Sequence, residues 1–315
     1  MWQQAWYEHD LRRIQEVFDE RDAAGEKLTT AYVVGTSALG ARQGPDGHVK
    51  GLVLIDQFCQ EMIRRTHGRV RITLMSDHGH NLATSKRIRL RYLLSHMGYR
   101  VVDRLEKNGD VVVPEFGMVT CAVFHTRQPA RAAADAVAFE GVDLAAYRET
   151  ASQGENACEE VVVLSRAGRA RIDRSAAGFR YRCDFGDPLE LLPILEELQT
   201  QGRVDAAGFV DDRTLFEATC DHVYPDAVYR LWRAFHGLIV NTPDVYLSIK
   251  DGYEVGSPLM GRLVRIKSAH GNLRQLSSYG FAASMVDGLP DTARMIDLRP
   301  AMQAAGIPLT DPAVD

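Results

Sequence analysis

The scarcities of this chain exclude more than its abundances suggest. Cysteine is sparse: Cys59, Cys121, Cys158, Cys183 and Cys220 are scattered, odd in number and form no C-x-x-C pair. That spacing argues against a disulfide framework and against a cysteine-rich zinc site. No stretch approaches the roughly 18–20 apolar residues needed to span a bilayer. Met1-Trp2-Gln3-Gln4 opens no basic segment followed by an apolar one, so no secretory signal is read there and a cytoplasmic protein is expected. Positive charge is not in excess either. With 37 Lys and Arg against 42 Asp and Glu the formal charge is −5, which gives no bulk electrostatic support for nucleic-acid binding. The basic stretches Arg64-Arg65 and Arg87 to Arg91 read as solvated helix faces. There is no internal repeat and no low-complexity tract.

What remains is an ordinary globular composition, 45% hydrophobic and 25% charged over 315 residues, enough to bury a sizeable core. Trp6, Leu11, Ile14, Val17 and Phe18 predict an amphipathic helix over 5–22, closed near Gly25. Ala31 to Val34 predicts a short buried strand running into a Gly-rich loop at 35–47. Leu54, Ile55, Phe58, Met62 and Ile63 predict a helix over 51–66; a strand at 70–75 and a helix over 85–97 follow. Strand, loop and helix in alternation predict a parallel sheet with crossovers, whose functional groups gather at the C-terminal strand ends. Asn108-Gly109 between apolar runs predicts a hairpin. Met118 to Thr126 reads as a strand and 128–137 as a helix. Residues 151–220 read as a small α+β insertion, with strands near 161–164, 170–172 and 179–183 and a helix near 188–199. Asp211-Asp212 reads as a helix start. Helices at 225–237 and 292–305 and a strand at 245–249 complete the core of 1–150 and 221–315.

The chemistry-bearing feature is Ser76-Asp77-His78-Gly79, set directly after the apolar run Val70 to Met75. Adjacent Asp and His at a strand end supply a carboxylate and an imidazole, donors suited to a divalent metal such as zinc. His80, two residues on, reads either as a surface loop residue or as an accessory ligand. Two other segments stand beside it: Tyr32-Val-Val-Gly-Thr36-Ser37-Ala-Leu-Gly40-Ala41-Arg-Gln-Gly44-Pro45, and Ser268-Ala269-His270-Gly271. The Gly-rich segment lacks the Gly-Lys-Ser/Thr ending of a phosphate-binding loop. Ser37 has no general base beside it in sequence. His48, His67, His96, His125, His222 and His236 share no spacing and read as structural or exposed.

In order and approximate spacing these three segments resemble the alkaline phosphatase superfamily, above all its type I phosphodiesterase and nucleotide pyrophosphatase branch. There one strand ends in Ser-Asp-His-Gly, an earlier one in Asp-x-x-Gly-His-x-x-Gly, and a late segment supplies His-Gly. The resemblance covers most of residues 25–150 and 221–285, and none of 151–220. It implies an α/β fold with a mostly parallel central sheet flanked by helices, shortened at its N-terminus. It also implies a two-metal phosphoryl-ester hydrolase using zinc, with manganese as the substitute, and a small phosphate ester as substrate. Asp77 and His78 match ligands of one metal and His270 a ligand of the other. The remaining ligands of the second site fall on Ser37 and Ala41, where the family has Asp and His; alanine cannot bind metal. The family's nucleophile segment has no counterpart before Ser37. The expectation is therefore a degenerate phosphodiesterase-like protein, inactive or weakly active as an isolated chain. The alternatives are a hydrolase with a rearranged single-metal site, or one half of an enzyme completed by a partner. A partner chain or a second copy would cover the open sheet edge.

Overall fold

The computed structural model describes residues 2–115, 117–150, 159–237 and 239–309. Its first elements are α1 (Trp2–Ala23), α2 (Gly35–Gln43), α3 (Pro45–Arg65), β1 (Thr73–Met75), β2 (Lys86–Arg87) and α4 (Leu90–His96). They are followed by β3 (Arg100–Val101), β4 (Asp110–Val112), β5 (Met118–Val119), β6 (Cys121–Thr126), α5 (Pro129–Val137) and β7 (Val142–Thr150). Next come β8 (Glu159–Ser165), β9 (Gly168–Ser175), β10 (Gly178–Phe185), α6 (Leu192–Thr200), α7 (Asp212–Thr219) and α8 (Ala227–Phe235). The last are β11 (Val245–Ile249), β12 (Tyr253–Gly256), α9 (Pro258–Leu263), α10 (Gln275–Ser278), β13 (Ala282–Ser284) and α11 (Met295–Ala304). The chain divides into two compact units. One holds residues 1–82, 266–268 and 279–315, the other residues 83–265 and 269–278.

The larger unit is built on an eight-stranded sheet of order β10-β9-β8-β7-β11-β6-β4-β3. All its ladders are antiparallel except the short β3–β4 pair. The chain is α/β, but the mostly parallel sheet that the alternation of elements predicts is not what forms. The physical reason lies in the connections. Two residues, Arg166-Ala167, join β8 to β9 and another two, Ala176-Ala177, join β9 to β10, and such short links only allow antiparallel neighbours. The strands β8 to β10 extend the same sheet through the β7–β8 ladder; residues 151–158, including Cys158, lie outside the described residues. Asn108-Gly109 does not make the expected hairpin, since β3 and β4 run parallel. There the buried Asp110 carboxylate accepts from the Glu106 and Lys107 backbone N–H groups and from Arg100.

Alternation along the central strands sends side chains to two cores. Tyr147, Val162, Val245, Leu247 and Phe124 bury one face with α5 and α4. Leu144, Ala146, Val161, Val163 and Ile172 bury the other with Leu215 of α7 and Val228, Leu231 and Phe235 of α8. Asp211 caps α7 by accepting from the Arg213 and Thr214 N–H groups, both at 3.0 Å, as its position in the sequence predicts. The second core also holds a charge cluster: Arg274 donates to buried Asp143 at 2.8 and 3.0 Å, and Tyr224 Oη donates to it at 3.0 Å.

The smaller unit is mainly helical. Tyr7, Leu11 and Leu39 are its buried centre, with Ile14, Val33, Leu54, Ile55 and Phe58 packed against them. Residues 35–47, read from sequence as a loop, form α2 and the start of α3, turning at Gly44 with φ +70°. The glycines here serve close approach rather than looping. A Cβ on Gly35 would stand 2.3 Å from the Tyr7 ring, and one on Gly47 2.1 Å from the Leu39 carbonyl oxygen. Burial of Tyr7 pushes its phenol up to about 12. The expected strand at 31–34 is irregular chain; Tyr32 and Val34 point outward. β1 pairs antiparallel with β13 in a two-stranded ladder. No helix among the described residues is long and apolar enough to cross a membrane.

Candidate functional site

The Ser76 to His80 loop leaves β1 in the smaller unit, and its start is fixed on both sides of one residue. The Ser76 N–H donates to the Phe281 carbonyl at 2.9 Å, while its hydroxyl accepts from the Phe281 N–H at 2.9 Å. From that anchor Asp77 and His78 project side by side. Asp77 Oδ2 lies 3.5 Å from His78 Nε2, and His78 Nδ1 donates to the Gly79 carbonyl at 2.9 Å. That second bond holds the ring so that Nε2 faces the carboxylate.

A separation of 3.5 Å is compatible with two ligands of one tetrahedral zinc, whose bonds to nitrogen and oxygen are about 2.0–2.2 Å. A closed site needs more donors. Among the described residues no three His, Cys, Asp or Glu side chains form a group that could hold a metal ion. Ala41 carries no donor, and its carbonyl is taken by the Lys267 N–H at 2.7 Å. His270 belongs to the larger unit. There its carbonyl accepts from Thr120 N–H at 2.8 Å, and the next residues are stitched down by Asn272, whose side chain donates to the Ile249 carbonyl and to Asp251. The donor set within the smaller unit, Asp77 and His78, does not fit the two-metal centre that the sequence resemblance implies.

His80 has a different setting. Its Nδ1 lies 3.2 Å from the Ser268 hydroxyl and its Nε2 3.5 Å from the Ser37 hydroxyl. The His48 ring meets it edge-on, centroids 4.6 Å apart, and the His78 ring lies at 5.8 Å. Space for these rings comes from α2, where Ser37, Gly40, Ala41 and Gly44 fall at helical spacing and give one face of small side chains. His48 presses against that face so closely that a Cβ on Gly40 would stand 2.1 Å from two of its ring atoms. Its Nε2 is buried without a hydrogen-bond partner, and burial holds its imidazole below the usual histidine range, in the neutral form.

Of the residues singled out in the sequence, the smaller unit gathers Ser37, Ala41, Asp77, His78 and His80. Sequence reasoning missed His48 and Ser268. His48 had a signal in the glycine spacing at 40, 44 and 47, which marks a close helix crossing rather than a flexible loop. Ser268 had none beyond lying two residues before His270. No family model, no curated protein and no solved structure matches this chain.

Proposed function

We propose that this chain is a degenerate phosphodiesterase-like protein, derived from a two-metal phosphoryl-ester hydrolase and carrying out little or no two-metal hydrolysis as an isolated chain. One observation carries the reading. In the smaller unit Ser37 and Ser268 both lie on His80 and the Lys267 N–H on the Ala41 carbonyl, while the sequence resemblance calls for a carboxylate and an imidazole at Ser37 and Ala41. The test is elemental analysis of dialysed protein, together with hydrolysis of a bis-aryl phosphate diester in added zinc or manganese. The expected result is no stoichiometric metal and no diester hydrolysis. About one zinc per chain that is lost in Asp77→Ala, with diesterase activity lost alongside, would overturn the reading in favour of a single-metal hydrolase.

The partner-completed alternative draws support from the smaller unit's surface, where α3 presents Val49, Leu52 and Val53 largely exposed. Light scattering of the purified chain distinguishes self-association from a requirement for another protein.

A further inference from the structure

We propose that Ser37, His80 and Ser268 form a hydroxyl–imidazole–hydroxyl relay in which Ser37 is the nucleophile of a metal-independent carboxylic-ester hydrolysis. This goes beyond the phosphodiesterase-derived reading and does not depend on it. From sequence Ser37 has no general base; the fold supplies one from 43 residues away.

The roles follow from burial and from the two imidazole nitrogens. Ser268 is 1% exposed, so no substrate reaches it. Its oxygen lies 3.2 Å from His80 Nδ1; in the proposed relay it accepts from that nitrogen, which leaves the lone pair on Nε2, the nitrogen that faces Ser37 Oγ at 3.5 Å. Ser37 is half-buried. This is the order nucleophile, base, orienting group that activates a serine, with a neutral hydroxyl in the place where a carboxylate is usual. A 3.5 Å contact is long for proton transfer, and such contacts shorten when substrate binds. His48 packs edge-on against His80 and acts as a positioning residue that restricts rotation of its ring.

The acceptor is a carboxylic rather than a phosphoric ester because of the charge to be stabilised. A carbonyl develops one negative oxygen, whereas a phosphoryl group needs cations on several. Ser37 sits in the first turn of α2, and Val34 caps that helix without a side-chain acceptor. The Thr36 and Ser37 N–H groups belong to the first helical turn, whose donors have no intrahelical acceptor, and serve as the oxyanion donors of the proposed step.

The step balances without a co-reactant. Ser37 Oγ attacks the carbonyl carbon and its proton passes to His80 Nε2. The adduct collapses, the bond from the carbonyl carbon to the alcohol oxygen breaks, and the alcohol leaves with the proton from His80. Water then attacks the acyl-serine and gives a proton to His80, which returns it to Ser37 Oγ as the carboxylic acid departs.

The test is covalent labelling of the full chain with an alkyl fluorophosphonate, located by peptide mass spectrometry, alongside p-nitrophenyl acetate hydrolysis in excess chelator. The expected outcome is a single adduct on Ser37, lost in Ser37→Ala, with labelling slowed about 100-fold or more in His80→Gln, the scale of a general base. Ser268→Ala should slow it less. A Ser37→Cys chain supplies a second readout, since iodoacetamide should alkylate Cys at that position faster with His80 present than in the His80→Gln background. Folding of each variant is checked by circular dichroism. No adduct on Ser37, or ester hydrolysis unchanged in Ser37→Ala, overturns the relay. Neither result bears on the metal and diester assays, so the two proposals fail separately.

Discussion

Replacing Gly40 by alanine sets two physical effects against each other. In the interior of a helix alanine is favoured over glycine by about 1 kcal/mol, so a reading from propensity alone predicts a more stable protein. The structure predicts the reverse. The added Cβ would stand 2.1 Å from His48 Cε1 and Nε2 and 2.6 Å from Nδ1, against a normal separation of roughly 3.5–4.0 Å between nonbonded carbons. The ring must therefore retreat by more than 1 Å on the order-of-magnitude scale of that contact, and it has His80 at its edge 4.6 Å away. Overpacking of this kind costs about 1–3 kcal/mol. With three ring atoms overlapped the upper end applies, and after the propensity gain the net loss is about 2 kcal/mol. Adding His48→Ala removes the obstruction and restores the helix benefit. The double variant should then be more stable than the sum of its singles by about 3 kcal/mol, a coupling well above the few tenths expected of independent sites. The assay is urea unfolding followed by far-UV circular dichroism, read as a shift in midpoint at unchanged slope. A stabilised Gly40→Ala, or strict additivity with His48→Ala, would refute the packing described for α2 and α3.

Glu254 supplies a pH-dependent prediction. It is 6% exposed, its Oε2 has no hydrogen-bond partner, and burial raises its carboxyl above the usual range while nearby Arg87 partly offsets this. The folded chain then holds a proton that the unfolded chain releases, so the protonated-state stability is present at acid pH and is lost as pH rises from the ordinary carboxylate range through the raised value. Glu254→Gln does not titrate, and its thermal midpoint relative to wild type should improve between pH 4 and pH 8. Asp211 behaves oppositely. Hydrogen bonds from the Thr214 and Arg213 N–H groups hold its carboxyl below the usual range, so its contribution is present at neutral pH and is lost as pH falls through that lowered value. Asp211→Ala should cost about 1 kcal/mol near pH 7, a gap that closes in acid and is measured by urea unfolding at both pH values.

Much of the local structure was legible because local signals determine it. β11 forms over Val245–Ile249 as its apolar run predicts, α5 begins at Pro129, and Asp211 caps α7. Strand direction was not legible. A buried strand reads as an apolar run whichever way its neighbours point, and the deciding evidence was the pair of two-residue links around β9. The misread glycines show a second limit: Gly40 and Gly47 are small because another element lies against them, a cause the local sequence does not carry. The site divides in the same way. Asp77 and His78 are neighbours in sequence and so were visible as a pair, whereas the Ser37–His80–Ser268 arrangement joins residues 43 and 188 positions apart, which no motif spacing encodes.

The place of β11 between β6 and β7 has a consequence for how the chain is made. β6 and β7 are separated in sequence by little more than α5, yet their shared neighbour is Val245–Ile249. At about 5–20 residues per second, a ribosome takes several seconds to pass from Thr150 to Val245. Through that interval the nascent sheet has a slot in its middle, with two unsatisfied edges facing one another. Whatever pairs there first competes with the native strand. The wait is longer than the microseconds in which a hairpin closes, so β7 to β10 can form their meander beforehand and β11 arrives as the closing piece. Slow synthesis over residues 151–244 would lengthen the vulnerable period, and a chaperone that shields strand edges would shorten its effect.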